Sequence, residues 1–408
     1  MKAVMYGAGN IGRGFIGQIF SQSGYELCFI DVAEPVIEAI NREGRYPVRI
    51  LSGETSEDIW IEGVRAINGR NEEAAAEAIA CADIMATAVG VRVLPFIAPV
   101  IAAGLRKRFA SSPVKPLNII ICENLIDANK VLEELVKKHL NAAEQKLFNE
   151  NVGLVEASIG RMVPIQTEEM QDGNPLRICV ESYSFLPVDK AAFRGEIPSL
   201  KGMRPFMDFD FFIKRKLFVH NMGHAICAYL GMIRGDSYIY EAASSGGILY
   251  IAQNAMMESA LALSAKYNAP IQDLHYHIRD LLRRFTNRAL GDTCARVGGD
   301  TVRKLGSNDR LIGAISCCTE MNIRPVYISV GTAAALYCHL KETGKQQTPE
   351  AARNALSEIS GMDINSREAD MIITFYSMLG SPGEACFEDT ICSIIKAAAD
   401  MGQEPDII

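Results

Sequence analysis

Residues 216–224, KLFVHNMGH, gather a lysine, an asparagine and two histidines within nine positions. Three uses are open to such a set. His220 and His224 stand four apart, the spacing that puts two imidazoles on one helix face, as zinc sites do. A catalytic zinc needs a third firm ligand and an open position. Cys227 is within reach, but the segment has no acidic residue, and no zinc-type spacing occurs elsewhere. No metal is therefore expected. The second use is packing, yet lysine and asparagine are poor guests in a buried stretch unless partnered. The third is proton transfer. A lysine becomes a base when burial lowers its pKa from roughly 10.4 toward the working pH. Asparagine amides donate to a developing alkoxide without taking its proton. Lys216, Asn221 and His224 supply these types.

Something must position that chemistry, and the first half of the chain reads as a nucleotide-binding fold. KAVMYGA (2–8) suits a buried parallel strand, and GAGNIGRGF follows at once. Gly7, Gly9 and Gly12 fit G-x-G-x-x-G. ELCFID then forms a second strand ending in Asp31, nineteen residues beyond Gly12. Gly7 permits the tight turn, Gly9 lets the backbone approach a pyrophosphate, and Gly12 lets helix pack close to strand. The loop Gly7, Ala8, Gly9, Asn10, Ile11, Gly12 opens a helix whose N–H groups face the phosphates. Asp31 can accept from ribose hydroxyls and would repel a 2′-phosphate, so NAD is expected over NADP. Further strands are read at 83–90, at 117–124 ending in Glu123 and Asn124, and in VGLVEAS and RICVESYSF. Helices are read at PVIEAINREG, EEAAAEAIACA and VLPFIAPVIAAGLRKRF.

Beyond about residue 200 strand signals thin and helical periodicity takes over, at 213–232, 249–266, 270–285, 328–342 and 349–360. The expected fold class is α/β: a Rossmann-type domain over 1–199, then a mainly helical substrate domain over 200–408. A chain of 408 residues exceeds what one core usually supports. The net charge of −8 argues against nucleic-acid binding. No apolar run spans a bilayer and no signal sequence opens the chain, so a cytoplasmic protein is expected, with a small molecule as its partner. Scattered cysteines in apolar runs read as small buried hydrophobes. His275 and His277 lie in a charged helix and read as a solvated face. Residues 279–310 hold eight basic residues against four aspartates, a candidate patch for an anionic substrate.

KLFVHNMGH fits K-x-x-x-x-N-x-x-H, and the chain resembles the polyol-specific long-chain dehydrogenase/reductase family, which uses a lysine base in place of zinc. RKLFVHNMGHAICAYLG, GAGNIGRGF, PLNIIICENL, VGLVEASIGRMVP, VRKLGSNDRLI and ISGMDINS carry the likeness, in order, over residues 1 to about 379. The segments look most like the bacterial branch that acts on mannitol 1-phosphate. The resemblance implies NAD-dependent oxidation of D-mannitol 1-phosphate to D-fructose 6-phosphate, and the reverse. It gives Lys216 as general base, Asn124 and Asn221 as amides of the oxyanion pocket, and His224 as the histidine that orients substrate. His220 matches no functional position. Arg296 and Lys304 match substrate-binding positions, and arginine suits bidentate phosphate binding. Two positions depart from the pattern: Gly160 replaces an aspartate before Arg161, and Gly299 replaces arginine or histidine. These bear on which polyol is used. An unphosphorylated polyol dehydrogenase, a fructuronate or tagaturonate reductase, and a non-catalytic NAD(H)-binding sensor are the rivals. Residues 380–408 match nothing in the family, and FEDTICSIIKAAADMG within them reads as a helical cap or an oligomer contact.

Overall fold

The computed structural model describes residues 1–52, 55–379 and 386–403. Two compact units divide between Phe209 and Asp210. In the first, strands β1 (Lys2–Tyr6), β2 (Glu26–Asp31), β3 (Arg45–Ser52), β4 (Thr55–Glu62), β5 (Val64–Asn68), β6 (Ile84–Thr87), β7 (Leu117–Ile121) and β8 (Val152–Glu156) alternate with helices. The helices are α1 (Gly17–Gln22), α2 (Glu34–Glu43), α3 (Glu72–Ala80), α4 (Leu94–Phe109), α5 (Ala128–Lys137) and α6 (Ala142–Asn151). Six strands form one parallel sheet in the order β5-β2-β1-β6-β7-β8. Counted by place in that sheet, this is the doubly wound order 3-2-1-4-5-6. Its strands are apolar on both faces, as in VMY and NIII, because helices cover both. Met5, Phe29 and Ile120 pack against α1 and α2 on one face; Val4, Ile30 and Ile119 pack against α3, α4 and α5 on the other.

The long extended stretch after α2 resolves into a hairpin. β3 pairs antiparallel with β4, and β9 (Ile178–Glu181) adds to β3 in parallel. RICVESYSF is thus not one strand: β9 ends at Glu181, and β10 (Leu186–Asp189) pairs in parallel with β11 (Met203–Phe206). A short helix, α7 (Glu168–Gln171), precedes β9. Because β11 pairs with β10, the first unit runs past the change in composition near residue 200.

The second unit is helical: α8 (Asp210–Arg215), a π-helix (Lys216–Asn221), α9 (Met222–Arg234), α10 (Ile239–Ala242), α11 (Gly246–Tyr267), α12 (Ile271–Phe285), α13 (Cys294–Gly298), α14 (Thr301–Lys304), α15 (Ile312–Glu320), α16 (Val326–Glu342), α17 (Pro349–Ser360), α18 (Arg367–Leu379) and α19 (Phe387–Gln403). α9, α11 and α16 form its apolar centre, with Ile226, Ala255 and Val330 fully buried. The helix expected near the C-terminus is α19. Ile391, Ile394 and Ala398 are buried where it packs against α11, α16 and α18, so this segment caps its own unit. Among the described residues no helix is long and apolar enough to cross a membrane.

Candidate active site

The glycine loop is fixed by sterics and by three charged side chains. Gly7 has φ +101°, and a Cβ there would lie 2.4 Å from the Ala88 carbonyl oxygen. A Cβ on Gly12 would lie 1.9 Å from the Gly7 carbonyl oxygen, so the crossing of loop and helix admits only glycine. Gly9 is different: it is exposed, and its Cβ direction is open space, the room a pyrophosphate needs. Asn10 is exposed beside it, Ile11 is half-buried, and Ala8 is buried. Asp31 ties this loop to the end of β2. Its Oδ2 accepts the Ala8 N–H at 2.6 Å, and its Oδ1 accepts those of Val32 (2.7 Å) and Ala33 (2.9 Å). The carboxylate therefore staples the loop to β2 while keeping a lone pair on Oδ2 for a hydroxyl.

The helix after the loop begins as a π-helix, Gly12–Ile16, rather than the regular helix that FIGQIF suggests. Buried Arg13 donates to the carbonyls of Ala8 and Leu176, both at 2.7 Å. Arg161 donates to the Gly14 carbonyl (2.8 Å) and to Gln18 Oε1 (2.6 Å), and lies 4.7 Å above the Phe15 ring. Glu123 accepts the N–H groups of Val89 (3.0 Å) and Gly90 (2.8 Å), pinning the turn after β6 to the end of β7. Asn124 follows it and is exposed. Open room at Gly9, a helix start and a hydroxyl-accepting carboxylate fit a dinucleotide.

In the helical unit Lys216 and Asn221 bound the π-helix. In an α-helix, positions five apart are turned by about 140° from one another. The i→i+5 pattern of a π-helix stacks them on adjacent turns instead. The K-x-x-x-x-N spacing is thus a π-helical spacing, one that lets a lysine and an asparagine five apart serve a single face. Lys216, Asn221 and His224 are all half-buried. His224 Nε2 stands 3.3 Å from Asp292 Oδ2, and its ring stacks on Phe285 with centroids 4.9 Å apart and planes 11° apart.

His220 is buried, 6.2 Å from the His224 ring. Burial, with Arg284 next in weight, holds its pKa well below the ordinary value, so it is neutral. Among the described residues no group of three or more His, Cys, Asp or Glu side chains could hold a metal. His277 corrects the reading of a solvated face. It is half-buried, and burial together with Arg215 and Arg284 drives its pKa well down; His275 is exposed as expected.

The basic run at 279–310 is less positive in three dimensions than in sequence. Arg283 and Arg284 pair with Asp280, Arg303 with Asp300 and Asp309, and Arg310 with Asp309. Arg288 lies over the Tyr240 ring. Arg296 donates through Nε (2.7 Å) and through Nη2 to Asp292 Oδ1, with its guanidinium half-exposed. Lys304 is 4% exposed, and its Nζ donates to the carbonyls of Val297 and Gly299. Burial, then Arg310 and Arg303, pushes its pKa down to about 8. The structure thus brings His224, Asp292 and Arg296 together and directs Lys304 to the main chain. Asp292 had no signal in the sequence beyond lying four residues before Arg296.

Two family models match in chain order: the mannitol dehydrogenase Rossmann domain over residues 1–202 and the mannitol dehydrogenase C-terminal domain over 208–369. The chain belongs to the mannitol dehydrogenase family. It is 39% identical over 373 residues to the mannitol-1-phosphate 5-dehydrogenase of Geobacillus thermodenitrificans, covering 89% of this chain and 95% of that one. It is likewise 39% identical to the enzyme of the same name from Brevibacillus brevis, covering 82% and 86%. Among solved structures, D-sorbitol dehydrogenase in substrate-free form has the same fold, with a TM-score of 0.78 at 14% identity over 97% of this chain and 95% of that one. So does Pseudomonas fluorescens mannitol 2-dehydrogenase in a ternary complex with NAD and D-mannitol, at 0.74 and 16% over 97% and 94%. The two unusual glycines of this member differ in their surroundings. A Cβ at Gly160 would lie 2.9 Å from Tyr183 Cε1, so the tyrosine fills the place of a side chain there. At Gly299 the nearest atom to a Cβ would be the Ala295 carbonyl oxygen at 3.3 Å, a tight but small obstacle.

Proposed function

We propose that this chain is an NAD-dependent dehydrogenase that oxidises D-mannitol 1-phosphate to D-fructose 6-phosphate and runs the reverse reduction. One observation carries the reading: Lys216 and Asn221 share a face of a π-helix that leads directly to His224, in a chain 39% identical to mannitol-1-phosphate 5-dehydrogenases. Gly7, Gly9 and Gly12 shape the loop for the pyrophosphate, and Asp31 takes the adenosine ribose. NAD, when bound, supplies the acceptor for the substrate's hydride. Lys216 removes the proton of the C5 hydroxyl as general base. Asn221 and Asn124 are assigned as amide donors to the reacting oxygen, where negative charge develops. His224 and Arg296 hold the rest of the substrate, with Arg296 offered to its phosphate. Lys304 supports this region through the Val297 and Gly299 carbonyls. Eleven free thiols, eight of them buried, suit a reducing compartment, and the cytoplasm is the inferred location.

The test is NADH oxidation with fructose 6-phosphate beside fructose, fructuronate and tagaturonate, with and without a chelator. The expected result is fast turnover of the phosphate alone, indifferent to chelation. Preference for an unphosphorylated ketose or a hexuronate overturns the substrate. Loss of turnover on chelation overturns the lysine mechanism, and no turnover with any ketose leaves an NAD(H)-binding sensor.

A further inference from the structure

Asp292 is held more firmly than a loop aspartate needs to be. Its carbonyl accepts the Ile239 N–H at 2.8 Å, Tyr238 bridges Thr293, and the Cys294 N–H returns to the Ser237 carbonyl at 2.9 Å. Thr293 then caps α13 by accepting the Arg296 N–H at 3.2 Å. The main chain on both sides of Asp292 is thereby anchored, and its side chain is only 10% exposed. Each carboxylate oxygen has one client. Oδ2 faces His224 Nε2, and Oδ1 takes Nε and Nη2 of Arg296. An ionised carboxylate only accepts, so the proton of a neutral His224 ring must sit on Nε2. Among the described residues Nδ1 of His224 and Nη1 of Arg296 have no hydrogen-bond partner.

We propose that Asp292 is a positioning residue that sets both ends of substrate recognition: it presents His224 Nδ1 as a hydrogen-bond acceptor for a substrate hydroxyl, and it holds Arg296 by one edge so that Nη1 meets the substrate's anionic group. The inference rests on the reading above and refines it. A neutral ring with Nε2–H committed to Asp292 has no donor left for the reacting oxygen. His224 therefore recognises a hydroxyl of the polyol, and stabilisation of the alkoxide falls to the amides. Phe285 restrains the ring from its face, so neither a flip nor a tilt is free.

Substituting Asp292→Asn tests this without changing size. One amide oxygen cannot serve both clients, and an amide NH2 turned toward Nε2 forces the proton onto Nδ1. Nitrogen-15 shifts of the labelled His224 ring should report an Nε2–H tautomer in the parent protein and an Nδ1–H tautomer in Asp292→Asn. Turnover should fall about 10–100-fold, the usual consequence of losing an orienting partner, and KM for the phosphorylated substrate should rise. Affinity for NAD and the thermal midpoint should stay near parent values. Asp292→Glu should recover part of the turnover. An unchanged tautomer, or unchanged turnover, in folded Asp292→Asn overturns the proposal. The ring shifts need no substrate, so this test stands whichever ketose the enzyme prefers.

Discussion

Around their candidate sites the two units spend charged side chains in different ways. At the glycine loop and the turn after β6 they end on the main chain. Asp31 takes the N–H groups of Ala8, Val32 and Ala33, Glu123 those of Val89 and Gly90, and Arg13 the carbonyls of Ala8 and Leu176. In the helical unit they end mostly on one another: His224 and Arg296 on Asp292, Arg284 on Asp280, Arg303 and Arg310 on Asp309. A charge bonded to backbone fixes the path of a loop, which suits a cradle for one invariant cofactor. A charge bonded to another charge can keep that partner and still offer its remaining N–H groups to an arriving anion, as Arg296 can through Nη1. The first arrangement builds shape, and the second builds an adjustable field for a substrate.

The largest effect that follows is on chemistry alone. Lys216→Ala removes the proposed base and should lower turnover by about 10²–10⁴-fold. The residues proposed for NAD, the 7–12 loop and Asp31, belong to the other unit, so NAD affinity measured by fluorescence titration should hardly move. A parallel loss of NAD affinity would break the distinction between cradle and field. Near-normal turnover would remove Lys216 from the mechanism.

What the sequence discloses about each unit follows the same division. The glycine loop and Asp31 lie within one strand–turn–helix–strand unit, so spacing alone reveals them. The hairpin of β3 and β4 hides in a single extended stretch, and β10 and β11 are four residues each, too short for alternation to register. Lys216, Asn221 and His224 are visible as a motif. The π-helix that aligns them is not, because periodicity does not report a change of hydrogen-bond register. Asp292 stands sixty-eight positions from His224, and only the fold joins them. His277 reads as solvated because charged neighbours surround it, yet it flanks the buried stripe of Leu274, Ile278, Leu281 and Phe285. A basic run in one dimension likewise says nothing about which aspartate each arginine will meet.

A smaller effect separates the two uses of charge directly. Asp31→Ala leaves the part-buried Ala8 N–H without its acceptor and hands those of exposed Val32 and Ala33 to water, which should cost about 1–3 kcal/mol of stability. It should also lower NAD affinity and narrow the gap between NAD and NADP. Arg303→Ala breaks two ion pairs, but the guanidinium is 48% exposed and Asp300 58%. That loss should be about 1 kcal/mol or less. Equal losses in denaturant unfolding would show that main-chain and ion-pair partners are equivalent here. An unchanged cofactor ratio in Asp31→Ala would detach that residue from the ribose.

The most confined effect, seen only at alkaline pH, concerns Lys304, a cation of the helical unit that ends on carbonyls as Arg13 does. Its folded pKa is depressed to about 8, from 10.5 in the unfolded chain, chiefly by burial. Below about pH 8 the group is charged in both states and the burden of burying it is fully present. Between about 8 and 10.5 the unfolded chain binds more protons than the folded one, so stability gains with rising pH. Above that range the burden is gone. Lys304→Met carries no such term, so its thermal midpoint relative to the parent should be highest near neutral pH and should fall steadily from pH 8 to 10.5. The hydrogen bonds to Val297 and Gly299 survive deprotonation, because a neutral amine still donates; their loss in the variant shifts the whole comparison without changing its slope. A flat difference across this range would mean that Lys304 is solvated in solution, free to meet a substrate anion rather than fixed to the turn at 297–299.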